Sequence, residues 1–287
     1  MRIGVVFPQT ELGGDPGAVR AFGTAASELG YAHIAVFDHV VGADPAVHRG
    51  WSGPYDIRTT FHEPFVLFGY LAALTSLELV TSILILPQRQ TVLVAKQAAE
   101  IDLLTQGKLR LGVGLGWNEV EYEALGQNFS DRGARLAEQV ALLRRLWTET
   151  SVTVAGEHEH VTGAGIAPLP VQRPIPVWIG ARADVALRRA GRIADGWFPM
   201  DQPGPALARS TAIVHSAAVE AGRDPRTLGM EGRINVGSAS SSSIDHQIAA
   251  WREAGATHLS INTMGAGFST VDQHIAALAS ASQAALG

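Results

Sequence analysis

The amino-acid sequence predicts an α/β fold in which parallel strands alternate with helices and close into an eight-stranded barrel. Three observations predict it. Eight short apolar, β-branched runs recur along the chain, helix-period segments separate them, and no Pro- or Ser-rich linker or break in composition divides the 287 residues. A single domain over residues 1–287 is therefore expected, a size ordinary for an α/β barrel.

The runs are Arg2 to Phe7, His33 to Phe37, Leu79 to Ile85, Lys108 to Val113, Pro176 to Ile179, Asp195 to Phe198, Leu228 to Val236 and Thr257 to Ile261. Between the fourth and fifth, Leu136, Val140, Leu143 and Trp147 fall at helical spacing and predict one buried helix face. Gly30 and Gly107 stand where the first and third helices should stop, as a glycine just past a helix end allows. Ser242 with Asp245 reads as a capping box for the seventh helix, and the run Ser238 to Ser243 before it as a loop. Two connections are too long and too rich in Gly, Pro, Trp and His to be plain linkers. Residues 42–62 are a candidate active-site lid and residues 151–174 an insertion.

Composition narrows the function. The balance of 22 Lys and Arg against 27 Asp and Glu, a formal net charge of −5, offers no basic footprint for nucleic acid and no polybasic membrane anchor. The absence of cysteine excludes disulfides, thiol nucleophiles and thiolate metal sites. No apolar stretch approaches the roughly 18 residues of a membrane span, and the chain enters a strand-like run at once. A soluble, unexported, cytoplasmic protein is expected.

In a parallel barrel the loops after the strands converge on one mouth, where the site should lie. Asp38 and His39 end the second strand, where an imidazole could exchange a proton near neutral pH or simply form a turn. Gly112, Gly114 and Gly116, followed by Trp117 and Asn118, end the fourth; lacking Cβ atoms, they let a flat ring or phosphate approach the backbone, or else serve a barrel corner. Gly180, Ala181 and Arg182 open a helix that carries Arg188 and Arg189, a ready phosphate site, with the Ser-rich loop after strand seven as its competitor. His158 and His160 read as a solvated hairpin rather than metal ligands, and no metal is expected. Glu119, Glu121 and Glu123 read as the exposed start of a helix. There is neither a dinucleotide fingerprint nor a P-loop nor a nucleophile elbow.

The segments Phe37-Asp38-His39, Val80 to Pro87, Ala95 to Leu104 and Gly107 to Glu119, taken in order, resemble the bacterial luciferase-like monooxygenase superfamily. Pro176 to Arg182, with Arg188-Arg189-Ala190 and Asp195-Gly196-Trp197, is similar to its coenzyme F420-dependent branch. The resemblance implies a TIM (β/α)8 barrel with insertion segments and a deazaflavin or flavin over the mouth. On that basis Asp38 and His39 look like the pair facing the redox ring, Ser82 and Ile83 like bulged residues behind it, Asn118 like a cofactor contact, and Gly180, Ala181 and Arg182 like the phosphate loop. The Ser82–Ile83 peptide is expected to be cis. Ala183 stands where related sequences often carry Ser, and Trp117 where some sugar-phosphate-oxidising relatives carry an acidic residue, which argues against that substrate.

The resulting expectation is an F420-dependent oxidoreductase acting on a small molecule, with His39 handling the proton, assembled as a homodimer like its relatives. Two alternatives stand beside it. One is an FMN-dependent monooxygenase using oxygen and reduced flavin from a partner reductase. The other is a barrel that binds such a cofactor without catalysis.

Overall fold

The computed structural model describes residues 1–237 and 243–286. In chain order the elements are β1 (Arg2–Val6), α1 (Gln9–Leu12), α2 (Pro16–Glu28), β2 (His33–Val36), α3 (Pro64–Ala72), β3 (Glu78–Thr81), β4 (Leu84–Ile85), α4 (Thr91–Leu104), β5 (Leu109–Gly114), α5 (Glu119–Ala124) and α6 (Arg132–Thr148). There follow β6 (Val152–Ala155), β7 (His160–Ala164), β8 (Val177–Ala181), α7 (Asp184–Ile193), β9 (Gly196–Pro199), α8 (Pro205–Glu220), β10 (Gly229–Asn235), α9 (Ile244–Glu253), β11 (His258–Asn262) and α10 (Val271–Leu286).

The parallel strands run β3-β2-β1-β11-β10-β9-β8-β5, and β3 pairs with β5 to close the ring. This is the expected TIM barrel. β4 continues β3 and pairs with β5, so the third barrel strand is one run interrupted at Ser82–Ile83, whose peptide is cis. The seam joins the first and last strands, with Arg2 opposite His258 and Val6 opposite Asn262.

Local chemistry explains the helices. Asp15 caps α2 by accepting the Gly17 N–H, Pro16 opens it without needing a donor, and Gly30 ends it at φ +82°. Gly107 closes α4 in the same way at φ +82°, although Gln106 before it is already left-handed. The predicted face of α6 is buried throughout, and Trp147 donates its indole N–H to the Ala95 carbonyl of α4. The cap of α9 is Ser243, one residue later than expected, accepting the His246 N–H. Ser242 and the rest of the run from 238 to 242 lie outside the described residues.

The insertion forms the antiparallel β6–β7 hairpin. His158 sits in its turn rather than in a strand, so it shares no strand face with His160. Among the described residues no group of three His, Asp or Glu is placed to hold a metal, and no helix is long and apolar enough to cross a membrane.

Two cores result. A large one packs helices on the outside of the strands, and a smaller one, Val6, Ala35, Val80, Trp178 and Phe198, fills the lumen. Below it, toward the N-terminal ends of the strands, lies a layer of buried charge. Arg110 of β5 pairs with Glu231 of β10 and Glu78 of β3, and its guanidinium lies 4.3 Å from the Trp178 ring centroid. His33 Nε2 is 3.0 Å from both Glu231 and Ser260. Burial opposes ionisation of Glu231, but Arg110 and His33 outweigh it and hold the carboxyl well below its ordinary range.

Candidate functional site

A cavity of about 560 Å³ opens at the C-terminal ends of the strands. It gathers Asp38, His39, Ser82, Ile83, Gly114, Gly116, Trp117, Gly180, Ala181 and Arg182, residues drawn from four strand ends spread along the sequence. Of the expected site residues Asn118 is absent from its wall, as are Gly112 and Arg188. Asn118 is buried as the cap of α5, accepting the Glu121 N–H and donating to the Val41 carbonyl. It lines instead the adjoining pocket that His39 shares with Val40, Val41 and Gly42.

The glycines serve the protein's own packing, the second of the two roles expected of them. A Cβ on Gly114 would lie 2.6 Å from Ile83 Cδ1, and one on Gly180 3.2 Å from Ile83 Cγ2. Gly116 yields in the same way to Ile85, and Gly112 to the Thr81 carbonyl and the Phe198 ring. The side chain displaced by the interrupted third strand thus lies bracketed between two glycines and forms the apolar floor of the cavity.

His39 stands in an aromatic enclosure. Its ring centroid is 4.7 Å from Phe61, 5.0 Å from Tyr55 and 5.5 Å from Trp117. Phe61 and Tyr55 come from the 42–62 segment, which also packs Trp51 against Trp117 at 5.7 Å. That segment has no helix or strand; the Ile57 N–H to Ala43 carbonyl bond closes it on itself.

The residue that orients His39 was missed. Glu121 is buried rather than exposed, and its Oε2 lies 3.4 Å from His39 Nδ1. It also accepts the Val40 and Val41 N–H groups and the Gln88 amide. Burial works to raise the Glu121 carboxyl, but His39 and the Val40 N–H overcome it and hold it below its ordinary value. With Nδ1 facing a carboxylate, Nε2 is the ring nitrogen left without a hydrogen-bond partner among the described residues. The spacing of Glu119, Glu121 and Glu123 concealed this, since three alternating glutamates look solvated. The usable signal was the buried Tyr122 beside it in so short a helix.

Asp38 is engaged on both oxygens. One accepts from Arg89 at 2.7 Å and the other from the Ile85 N–H at 2.9 Å, while Arg89 also reaches Glu63. Burial pushes the Asp38 carboxyl up against the pull of Arg89. The pair ties the end of β2 to β4, which holds His39 next door in place.

The opposite wall is cationic. Ala183 cannot cap α7 with its side chain, so its first amides have no side-chain acceptor. Arg182 and Arg189 line the cavity beside it, neither has a carboxylate partner among the described residues, and Nη1 of Arg189 is buried without a hydrogen bond. Asp184, in the first turn, is neutralised by Arg209 and Arg188.

The luciferase-like monooxygenase family model matches residues 1–285. This chain belongs to that family. An uncharacterized protein of Mycobacterium tuberculosis is 39% identical to this family member over 165 residues, 57% of this chain and 56% of that one. An F420-dependent glucose-6-phosphate dehydrogenase of Gordonia bronchialis is 34% identical over 221 residues, 73% of this chain and 61% of the relative. The matches therefore span less than two thirds of these curated relatives' own lengths. Among solved structures, an F420-dependent secondary alcohol dehydrogenase in complex with an F420–acetone adduct superposes with a TM-score of 0.80 over 99% of this chain and 98% of the other, at 16% identity. That likeness shows the shared barrel.

Proposed function

We propose that this luciferase-like family member is a coenzyme F420-dependent oxidoreductase that moves a hydride between the deazaflavin and a small organic substrate. The observation that carries the reading is a cavity with an apolar floor at one side and an unpaired cationic pole at the other. The orphaned Nη1 of Arg189, the free Arg182 and the uncapped start of α7 fit a phosphate group, which would satisfy donors the protein itself leaves open. The F420-dependent name of the Gordonia relative supports the choice of cofactor.

When bound, the cofactor supplies two-electron hydride chemistry that no side chain of the cavity offers. The chain's own residues orient and protect. Ile83, held by Gly114 and Gly180, gives a flat apolar bed for a ring. Glu121 fixes the His39 ring so that Nε2 is free to give or take the proton coupled to the hydride. Tyr55, Phe61 and Trp117 crowd that imidazole and limit water around it.

Titration of the purified protein with F420 and FMN tests the reading. F420 is expected to bind at least about tenfold tighter, a difference of about 1.4 kcal/mol. Equal affinity, or FMN retained through purification, overturns it in favour of the flavin monooxygenase. Tight binding with no turnover across alcohols, aldehydes, ketones and enones in a redox screen assigns a non-catalytic barrel instead.

A further inference from the structure

Two cavities meet at His39. Beside the one of about 560 Å³ lies a second of about 290 Å³, lined by Val40 to Gly42, by Asn118 and by residues 55–61 of the lid segment. His39 and Tyr55 are the two residues that line both, so together they form the wall between them. Tyr55 is set apart from the other three tyrosines of the chain by its hydroxyl. Tyr31, Tyr70 and Tyr122 donate theirs to the backbone carbonyls of Leu278, Pro16 and Leu115. The Tyr55 hydroxyl makes no hydrogen bond to any described residue. Its place is nevertheless fixed. The Trp51 indole donates to the Tyr55 backbone carbonyl at 3.0 Å, and the ring packs 4.8 Å from Phe61 and 5.0 Å from His39. Burial pushes the phenol up from its ordinary value and Glu11 adds to that, while the charge of Arg233 pulls the other way. Arg233, on β10, lies over the Phe37 ring at 5.3 Å and has no carboxylate partner among the described residues, so its charge is left to polarise the phenol. A desolvated hydroxyl without a partner is costly, and an oxygen acceptor on a ligand compensates it.

We infer that Tyr55 is a second catalytic residue, whose hydroxyl donates a hydrogen bond to the same substrate oxygen that exchanges its proton with His39, so that the substrate is a ketone or aldehyde or the corresponding alcohol. The inference rests on the F420 reading and names the substrate class for it. In the reducing direction the carbonyl carbon gains a C–H bond from the hydride, whose two electrons leave the reduced deazaflavin oxidised. The π pair of the C=O bond passes to the oxygen, which takes the proton from His39 Nε2. Tyr55 keeps its own proton throughout and stabilises the negative charge that builds on that oxygen. Oxidation of the alcohol runs through the same steps in reverse. The other hydroxyl of the cavity, Ser82, precedes Ile83 in the floor. Both oxygens of Asp38 are taken, by Arg89 and by the Ile85 N–H. Beside the imidazole itself, Phe61 and Trp117 offer an oxygen only their rings and one indole N–H.

The test is calorimetric titration with two pairs of probes that differ only in an oxygen replaced by a methylene: acetophenone against α-methylstyrene, and cyclohexanone against methylenecyclohexane. Wild-type protein and Tyr55→Phe, which keeps the ring and loses the hydroxyl, are each titrated with and without saturating F420. Tyr55→Phe is expected to weaken at least one ketone roughly 3- to 10-fold and to spare the alkenes, F420 affinity and the melting temperature. With reduced F420 bound, kcat for that ketone should fall roughly 10²-fold, more than KM rises. Ketone affinity and kcat that survive Tyr55→Phe, an equal loss for ketone and alkene, or wild-type protein that binds neither ketone overturns the assignment. Should F420 fail to bind wild-type protein, the cofactor reading falls while the titrations without F420 still decide whether Tyr55 holds a carbonyl oxygen.

Discussion

Glu231 and Arg233 point into the same lumen from the same strand, two residues apart, yet they belong to different regimes. At the base of the barrel every charge is matched: Arg110 sits between Glu231 and Glu78, and His33 and Ser260 complete the set. At the mouth Arg182, Arg189 and Arg233 face a cavity whose lining carboxylate among the described residues, Asp38, is already paired with Arg89. The counter-ions differ, and so does the exposure: Arg110 and Glu231 are buried, whereas Arg189 and Arg233 are half-buried and Arg182 is exposed. Matched buried charge belongs to the closed barrel; on the function proposed above, unmatched charge at the mouth awaits an anionic ligand.

The largest effect that sharpens this contrast belongs to the mouth. His39→Ala should lower turnover roughly 10²- to 10⁴-fold with F420 affinity and melting temperature little changed. Steady-state rates near wild type would strip the imidazole of a chemical role. Glu121→Gln should reproduce part of that loss and let the ring populate both neutral tautomers, visible by ¹⁵N NMR, whereas a merely structural glutamate would leave the tautomer untouched.

At the base, Glu231→Gln leaves Arg110 short of a partner in the interior and should cost about 3–5 kcal/mol in urea unfolding. Arg233→Met should cost nothing or stabilise. Equal losses would break the comparison. Third in size, Arg182→Met should weaken F420 by about 1.5–3 kcal/mol while sparing a deazaflavin analogue that lacks the phosphate. Loss of both ligands alike would mean that Arg182 acts through packing.

The last effect is a pH dependence. Burial, helped by Arg110, holds His258 down to about 3 against an ordinary value of 6.5. The folded state thus keeps this ring neutral where the unfolded chain takes up a proton. Stability should be level above pH 6.5 and fall as the pH drops from there toward 3, with Glu231 adding to the loss below its ordinary carboxyl range. His258→Gln should flatten the upper part of that fall in urea midpoints measured against pH. An unchanged slope would place the proton uptake elsewhere.

How much of this the sequence disclosed depends on range. Each strand is a local pattern, so Ile34-Ala35-Val36 or Leu109 to Val113 announces itself, and the mouth follows once the strands are ordered. The break at Ser82–Ile83 came only through family resemblance, because nothing in Thr-Ser-Ile-Leu departs from an ordinary strand. Glu121 and Arg233 escaped because their meaning lies in what surrounds them. A glutamate is a solvated helix residue until His39 arrives 82 positions earlier in the chain to face it. Arg233 carried a readable hint, since Glu231, Arg233 and Asn235 alternate with Met230, Gly232 and Ile234 and so set three polar residues on one face of a barrel strand.

The seam between β1 and β11 sets the timing of assembly. Gly265 donates to Glu11 across 254 residues and Tyr31 to the Leu278 carbonyl across 247. During synthesis β1 therefore waits, one edge unpaired, until almost the whole chain has left the ribosome. Closure over so long a loop is slow, and an open parallel edge is a template for other chains. Aggregation of nascent or truncated forms should accordingly begin at Arg2–Val6, and a circular permutant that links the end of α10 to the start of β1, so that β11–α10–β1 is continuous, should fold faster while keeping the contacts of the mouth.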